Sequence, residues 1–118
     1  MTEDDQLNEG AQRPAWVTGG SGFIGGHLLR ALVRASTPVR ALARSAAARE
    51  RVVALGATPV AGDLDDTPAL ASSMTGCDTV FHLGAYLNDW DWDHAFRVNV
   101  VGTRNVIAAA RAAGVRRV

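Results

Sequence analysis

The sequence contains no lysine, because all 12 of its basic residues are arginines. It also has only one tyrosine, Tyr86, and one cysteine, Cys77. Without lysine the chain has no Schiff-base lysine, no Walker-type phosphate-binding lysine and no Tyr-Lys catalytic pair. A lone cysteine excludes an internal disulfide and a CxxC metal site, so the chain is not a disulfide-stapled secreted scaffold. The remaining residues show no pattern typical of a metal site.

The sequence also has no excess of positive or negative charge. Twelve Asp and Glu residues balance the 12 arginines, and the pI is about 6.8. This balance argues against a nucleic-acid surface and against a polybasic membrane surface. Arginines interrupt every apolar run before it reaches the ~20 residues of a membrane span. The acidic N-terminus is unlike a signal peptide, so we expect a cytoplasmic protein without nucleic-acid or membrane partners.

The 118 residues, 47% of them hydrophobic, suffice for one domain with a core. We predict a disordered acidic tail over residues 1–13 and one domain over residues 14–118. Strands are predicted at 15–18, 39–44, 59–61, 79–83 and 115–118, and helices at 23–35, 46–55, 67–74 and 94–113. Strands that alternate with helices pair in parallel. We therefore predict an α/β fold, a Rossmann-like doubly wound parallel sheet that is truncated in its fifth strand.

The first predicted turn is rich in glycine, between a buried strand and a helix with an apolar stripe that begins at Phe23 and Ile24. Gly19 permits the tight turn, Gly22 lets a pyrophosphate approach the backbone, and Gly25 lets the helix pack close to the sheet. Free N–H groups at the helix start favour a phosphate. The turn therefore predicts a dinucleotide site formed by Gly19, Ser21, Gly22, Phe23, Ile24 and Gly25.

The end of the second predicted strand indicates which dinucleotide binds. An NAD site usually carries an acidic residue there, to hold the ribose 2′-hydroxyl. This strand has no acid and ends at Arg44, whose guanidinium suits a 2′-phosphate. Arg51, or Arg49 beside it, could supply a second cation. The sequence therefore favours NADP, with NAD as the second choice.

Four motifs together resemble the extended short-chain dehydrogenase/reductase family, which includes the NAD-dependent epimerases and dehydratases. The resemblance covers residues 15–118, and all four motifs lie in register with the family's. The motifs are the TGGSGFIG turn at 18–25, the GDL at 62–64, the HLGA at 82–85 and the NVVGTRN at 99–105.

This resemblance implies roles for further residues. Asp63 would accept a hydrogen bond from the adenine amino group, and Leu64 would border the ring. Asn99 would support the site by holding its water or backbone geometry, whereas His82 is either structural or catalytic. The residues implied to line the ribose and nicotinamide side are Leu83, Gly84 and Ala85.

The resemblance also implies chemistry that this chain lacks. The family uses a Ser or Thr and a Tyr-x-x-x-Lys pair as its catalytic residues. Here Trp90 follows Tyr86 by four positions, and no lysine exists. We therefore expect the N-terminal fragment of a longer enzyme, inactive alone, whose parent acts on a small-molecule substrate and forms a homodimer. The aromatic loop 86–93 would either form a wall of the substrate pocket or pack against the rest of the parent.

The second strand is similar to that of the dihydroflavonol-reductase and hydroxysteroid-dehydrogenase-like branch. This similarity favours an NADP-linked oxidoreductase that acts on a carbonyl or alcohol. Two alternatives remain open at this point: a nucleotide-sugar epimerase or dehydratase with bound NAD, and a non-catalytic NADP-sensing module.

Overall fold

The four strands of the fold form one parallel sheet. The computed structural model describes residues 12–88 and 90–118. Within this part of the chain the strands are ordered β3-β2-β1-β4. Their bounds are β1 Ala15–Thr18, β2 Val39–Leu42, β3 Thr58–Val60 and β4 Thr79–His82. Since β1 pairs in parallel with both β2 and β4, the chain reverses its direction of winding at β1.

Helices cover both faces of this sheet. Their bounds are α1 Phe23–Arg34, α2 Ala46–Ala54, α3 Thr67–Ser73, α4 Trp92–Phe96 and α5 Gly102–Ala113, with a π-helical turn at Arg97–Val101 between the last two. The fully buried Trp16 packs with α3 and α5 on one face, whereas its neighbour Val17 packs with α1 and α2 on the other. Because adjacent strand residues point to opposite faces, β1 contributes to both cores. The predicted doubly wound α/β fold is confirmed.

Polar contacts attach α3 to the centre of the sheet. The Trp16 indole N–H donates to Ser73 Oγ at 3.0 Å, so this buried ring has its polar atom paired. From β2, the Arg40 guanidinium donates to the Ser73 and Thr75 carbonyls at 2.9 and 2.6 Å. These carbonyls lie at the end of α3, where a cation is favourable.

The last predicted strand is wrong in extent. Residues 115–118 form no strand, and Arg117 makes one parallel bridge to Thr79. The Val80 N–H donates to the Arg117 carbonyl at 2.9 Å. Gly114, at φ 76°, ends α5 and turns the chain toward β4. Val115 and Arg116 lie between this turn and the bridge, so Arg117 is the residue of this segment that pairs with β4.

The other predicted boundaries are correct to within a few residues. The helix predicted from His94 begins instead at Trp92, because Asp91 Oδ1 caps it by accepting the His94 N–H at 3.1 Å. The strand predicted to end at Arg44 ends at Leu42. Most of the predicted acidic tail lies outside the described residues. Of its last two residues, Gln12 hydrogen-bonds to Ala35 and Thr37.

The predicted apolar stripe of α1 is only partly buried. Leu29 is fully buried, but Phe23 is 81% exposed and Ile24 69% exposed. The buried positions of the first turns are instead Gly25 and Gly26. The helix lies so close to the sheet that glycine, not a large side chain, occupies the contact.

Gly25 marks the closest approach of α1 to the strand end. A Cβ on Gly25 would overlap the carbonyl oxygen of Gly19 and lie 2.7 Å from its carbonyl carbon. These are backbone atoms and cannot move aside. On the adjacent Gly26, a Cβ would lie 3.3 Å from the flexible end of Arg51.

We expect Gly25→Ala to destabilise the fold by at least about 3 kcal/mol, because overpacking against backbone displaces the helix. The matched control, Gly26→Ala, should change stability by no more than about 1 kcal/mol, since alanine favours helix and the arginine end can shift. Urea unfolding of both variants checks this. Equal stability of the two variants would contradict the packing of α1 described above.

Candidate functional site

A groove of about 310 Å³ runs across the carboxyl ends of the strands. Ligands bind at this edge in doubly wound sheets, where the strand order reverses. The volume lies at the small end of the range of about 300–1,000 Å³ that is typical of ligand pockets. The groove is lined by Thr18, Gly19, Ser21, Gly22, Leu42, Arg44, Leu64, Leu83, Gly84, Ala85 and Val98.

Most of the site residues expected from the sequence line this groove. Eight do so: Gly19, Ser21, Gly22, Arg44, Leu64, Leu83, Gly84 and Ala85. Phe23 and Ile24 do not, and their exposed side chains leave only backbone N–H groups to face a ligand. Gly25 lies behind the turn, and Asp63 and Asn99 stand next to the wall without forming part of it. Thr18, Leu42 and Val98 line the groove without having been expected there.

The glycine turn forms one end of the groove. Gly19 has φ 73°, and a Cβ there would lie 2.8 Å from the Gly84 nitrogen, so the two loops meet backbone to backbone. The Gly22 N–H donates to the Gly19 carbonyl at 3.1 Å, which closes the turn. Gly22 is also the N-cap of α1, and no side chain caps this helix. Its first N–H groups can therefore bind an anion.

Arginines supply positive charge beside this turn. Arg44 lines the groove just after β2, and its side chain is exposed. Arg51 reaches from α2 to the first turn of α1, where its Nη2 lies 3.3 Å from the position of a Cβ on Gly26. Arg49 is exposed on α2. Neither Arg49 nor Arg51 is among the lining residues of the groove, so the choice between them rests on the approach of Arg51 to the first turn of α1.

His82 links the ends of two strands to α5. Its Nδ1 lies 2.7 Å from Thr18 Oγ1, and its Nε2 lies 2.9 Å from Thr103 Oγ1. Thr18 Oγ1 also accepts the Gly84 N–H at 3.0 Å. Burial lowers the pKa of His82 below its usual 6.5. The neutral ring, with one donor and one acceptor nitrogen, satisfies both threonines and so fixes a groove-lining glycine.

Asn99 fixes the loop that follows β4. Its Oδ1 accepts the Tyr86 N–H and its Nδ2 donates to the Tyr86 carbonyl, both at 2.8 Å. Asn99 lies within the π-helical turn, a rare element that is frequent at functional sites. The paired contact holds Tyr86 directly after the groove-lining residues 83–85.

The sequence reasoning did not assign functions to Thr103 and Asn105. Thr103 contacts His82, and Asn105 Nδ2 donates to the Leu64 carbonyl at 2.7 Å. Both belong to the same seven-residue motif as Asn99. The signal available in the sequence was its cluster of polar residues on an otherwise alanine-rich helix.

The loop after Tyr86 presents aromatic surface. Trp90 and Trp92 are 78% and 71% exposed, and Trp92 stacks on Phe96 with ring centroids 5.3 Å apart. Tyr86 packs edge-on against His94 at 4.5 Å. Asp89 of this loop lies outside the described residues. None of these aromatic residues is among those that line the groove.

Across residues 12–88 and 90–118, no helix combines the length and the apolar composition needed to cross a bilayer. The described residues also bring together no group of three or more His, Cys, Asp or Glu side chains suited to a metal ion.

Known proteins resemble this chain in sequence and in fold. The NAD-dependent epimerase/dehydratase family matches residues 15–118. A 4-hydroxy-2-methyl-3-oxo-4-farnesyl-3,4-dihydroquinoline-1-oxide ketoreductase from Stigmatella aurantiaca is 48% identical over 103 residues, covering 86% of this chain and 31% of the relative. The chain thus spans about a third of the length of this relative.

Solved structures agree with the fold. A short-chain dehydrogenase/reductase superfamily protein from Agrobacterium tumefaciens with bound NAD is 35% identical, with a TM-score of 0.71 over 86% of this chain and 30% of that one. An NADPH-dependent quinone oxidoreductase from Escherichia coli, in complex with NADPH, is 27% identical. Its TM-score is 0.64 over 86% of this chain and 34% of that one. Similar proteins therefore bind one or the other nicotinamide dinucleotide.

The His82 contacts predict a dependence of stability on pH. Because folding lowers the pKa of His82, the unfolded chain binds a proton more readily than the folded one. The stability contributed by the neutral ring is complete above pH 6.5, the usual pKa, and is lost as the pH falls through the lowered one. Urea unfolding from about pH 7.5 to about pH 5.5 should show a steeper loss for the unmodified chain than for His82→Gln. Identical slopes would contradict this role of His82.

Proposed function

Because the chain belongs to the NAD-dependent epimerase/dehydratase family, also described as the extended short-chain dehydrogenases/reductases, we propose that it is the NADP-binding part of an oxidoreductase. The activity moves a hydride between the nicotinamide and a carbonyl or alcohol carbon of a small molecule. The observation that supports NADP is Arg44, which lines the groove at the end of β2.

The geometry of the groove supports the binding of a nicotinamide dinucleotide. Gly19 and Gly22 present backbone where a side chain would fill the cradle, and the uncapped start of α1 suits a pyrophosphate. Leu64 and Asp63 stand at the adenine end. The other end is lined by Leu83, Gly84 and Ala85. When bound, the cofactor supplies the hydride chemistry, and this chain's residues bind and orient it.

The charge at the groove favours NADP over NAD. Residues 43–49, which follow β2, include no acidic residue, whereas an NAD site uses one at the strand end to bind the 2′-hydroxyl. Arg44 can pair bidentately with a 2′-phosphate, and Arg51 adds a second positive charge near the start of α1. A nucleotide-sugar epimerase that uses NAD is the alternative within the same family.

The catalytic part of the proposal lies outside this chain's own residues. The family resemblance implies a Tyr-x-x-x-Lys pair, and the sequence has no lysine. Asn99 is the residue here that would support the reaction, because it holds Tyr86 beside the nicotinamide end of the groove. We assign the whole enzyme a carbonyl or alcohol substrate of the kind used by dihydroflavonol reductases and hydroxysteroid dehydrogenases. We also infer that it works as a homodimer.

Calorimetric titration with NADP⁺ and NAD⁺ tests the cofactor. The unmodified chain should bind NADP⁺ more tightly, and Arg44→Asp should weaken NADP⁺ binding by about 10- to 100-fold while sparing NAD⁺, because it removes a charged hydrogen bond. Arg30→Asp makes the same charge change on the exposed surface of α1 and is the control. Tighter binding of NAD⁺ by the unmodified chain would favour the epimerase alternative.

The same titrations identify the second cation. Arg51→Asp should weaken NADP⁺ binding, and Arg49→Asp should not, because Arg51 lies against Gly26 in the first turn of α1. The reverse result would assign the role to Arg49.

The chain alone should catalyse no ketone reduction, because it has no lysine to lower the pKa of a catalytic tyrosine. The measurement follows NADPH absorbance with a ketone present, in a sample already shown to bind the cofactor. Turnover that increases with protein concentration would contradict the assignment of catalysis to other residues.

A further inference from the structure

The turn between β3 and α3 carries the two residues assigned to the adenine end of the groove. Asp63 Oδ1 accepts the Asp65 N–H, and the Asp63 carbonyl accepts the Asp66 N–H, both at 3.3 Å. These are local bonds within the turn. They shape it but do not fix its position relative to the rest of the groove.

The position of this turn is set from α5. The Asn105 side chain is half-buried, and its Nδ2 donates to the Leu64 carbonyl at 2.7 Å. One helical turn earlier, Gly102 lets α5 approach so closely that a Cβ there would lie 3.0 Å from Leu64 Cδ1. Leu64 is therefore held by its carbonyl and by its side chain, which is 8% exposed and lines the groove.

A hydrogen bond to the Leu64 carbonyl fixes the plane of the peptide that follows Leu64. Together with the close approach of Gly102, this bond fixes where the Leu64 side chain meets the groove. Asn105 itself does not line the groove, so its influence on a ligand passes through this backbone contact.

We infer that Asn105 is a positioning residue for the adenine end of the cofactor groove. It acts through the Leu64 carbonyl, as Asn99 acts on the other end through Tyr86. The inference rests on the proposed function, because it takes the groove to bind an adenine dinucleotide. It predicts that the two asparagines, six positions apart on one helical segment, affect different halves of the ligand.

The experiment measures the binding of two fragments, adenosine 5′-monophosphate and nicotinamide mononucleotide, to the 118-residue chain. Asn105→Asp keeps the size of the side chain but replaces the donor with an acceptor that faces a carbonyl. This variant should bind adenosine monophosphate about tenfold more weakly, the effect of one lost hydrogen bond. Its affinity for nicotinamide mononucleotide should be unchanged. Asn99→Asp is the matched variant and should show the opposite preference.

A purely structural role gives a different result. Asn105→Asp would then weaken both fragments equally, or neither, and the inference would be overturned. If Asn105→Asp does not fold, Asn105→Ser replaces it, because the shorter hydroxyl removes the contact without placing a charge near the carbonyl. Thermal melting of each variant establishes that it is folded.

A third arm separates this inference from the proposed function. If the unmodified chain binds neither adenosine monophosphate nor NADP⁺, the proposed function fails and the inference fails with it. If the unmodified chain binds both and Asn105→Asp does not change the affinity for adenosine monophosphate, only the inference fails.

Discussion

One helical segment fixes the loops that form the groove, and the geometry of the site depends on it. From the π-helical turn and the start of α5, three polar side chains reach three separate places. Asn99 contacts the Tyr86 backbone, Thr103 contacts the His82 ring and Asn105 contacts the Leu64 carbonyl. Loops at the carboxyl ends of strands are otherwise free to move. Because the three contacted segments are all held from the same helical segment, that segment sets the distances between them.

On the opposite side of the groove, backbone packing adds to the hydrogen bond from the Gly84 N–H to Thr18 Oγ1. There Gly25 lies against Gly19, and Gly19 in turn lies against Gly84, so backbone packs on backbone at both contacts. Side chains would hold these segments apart and fill the space of the groove. The site is thus a cradle of glycine backbone on one side and a set of anchored loops on the other. Arg44 supplies charge on its wall.

The sequence predicted what depends on local pattern. The alternation of strands with helices established the parallel sheet, and the glycine turn after β1 located the end of the groove, because both are properties of contiguous residues. The helical spacing placed Phe23 and Ile24 on the apolar stripe of α1, but both are exposed and the contact with the sheet belongs to Gly25. The π-helical turn was also missed. A single π-helical turn has no residue signature of its own that would set it apart within a long helical pattern.

Asn105 illustrates the remaining limit of prediction from one sequence. It contacts a residue 41 positions earlier in the chain, so no local pattern indicates its partner. His82 gave an ambiguous signal for a related reason, because a histidine at a strand end suits either catalysis or structure. The contacts decide between the two: both ring nitrogens are engaged by threonines, and burial favours the neutral ring. A ring that is held in this way positions Gly84, and has neither a free nitrogen nor a raised pKa with which to transfer a proton to a substrate. These contacts favour a structural role for His82, which is to hold Gly84 through Thr18.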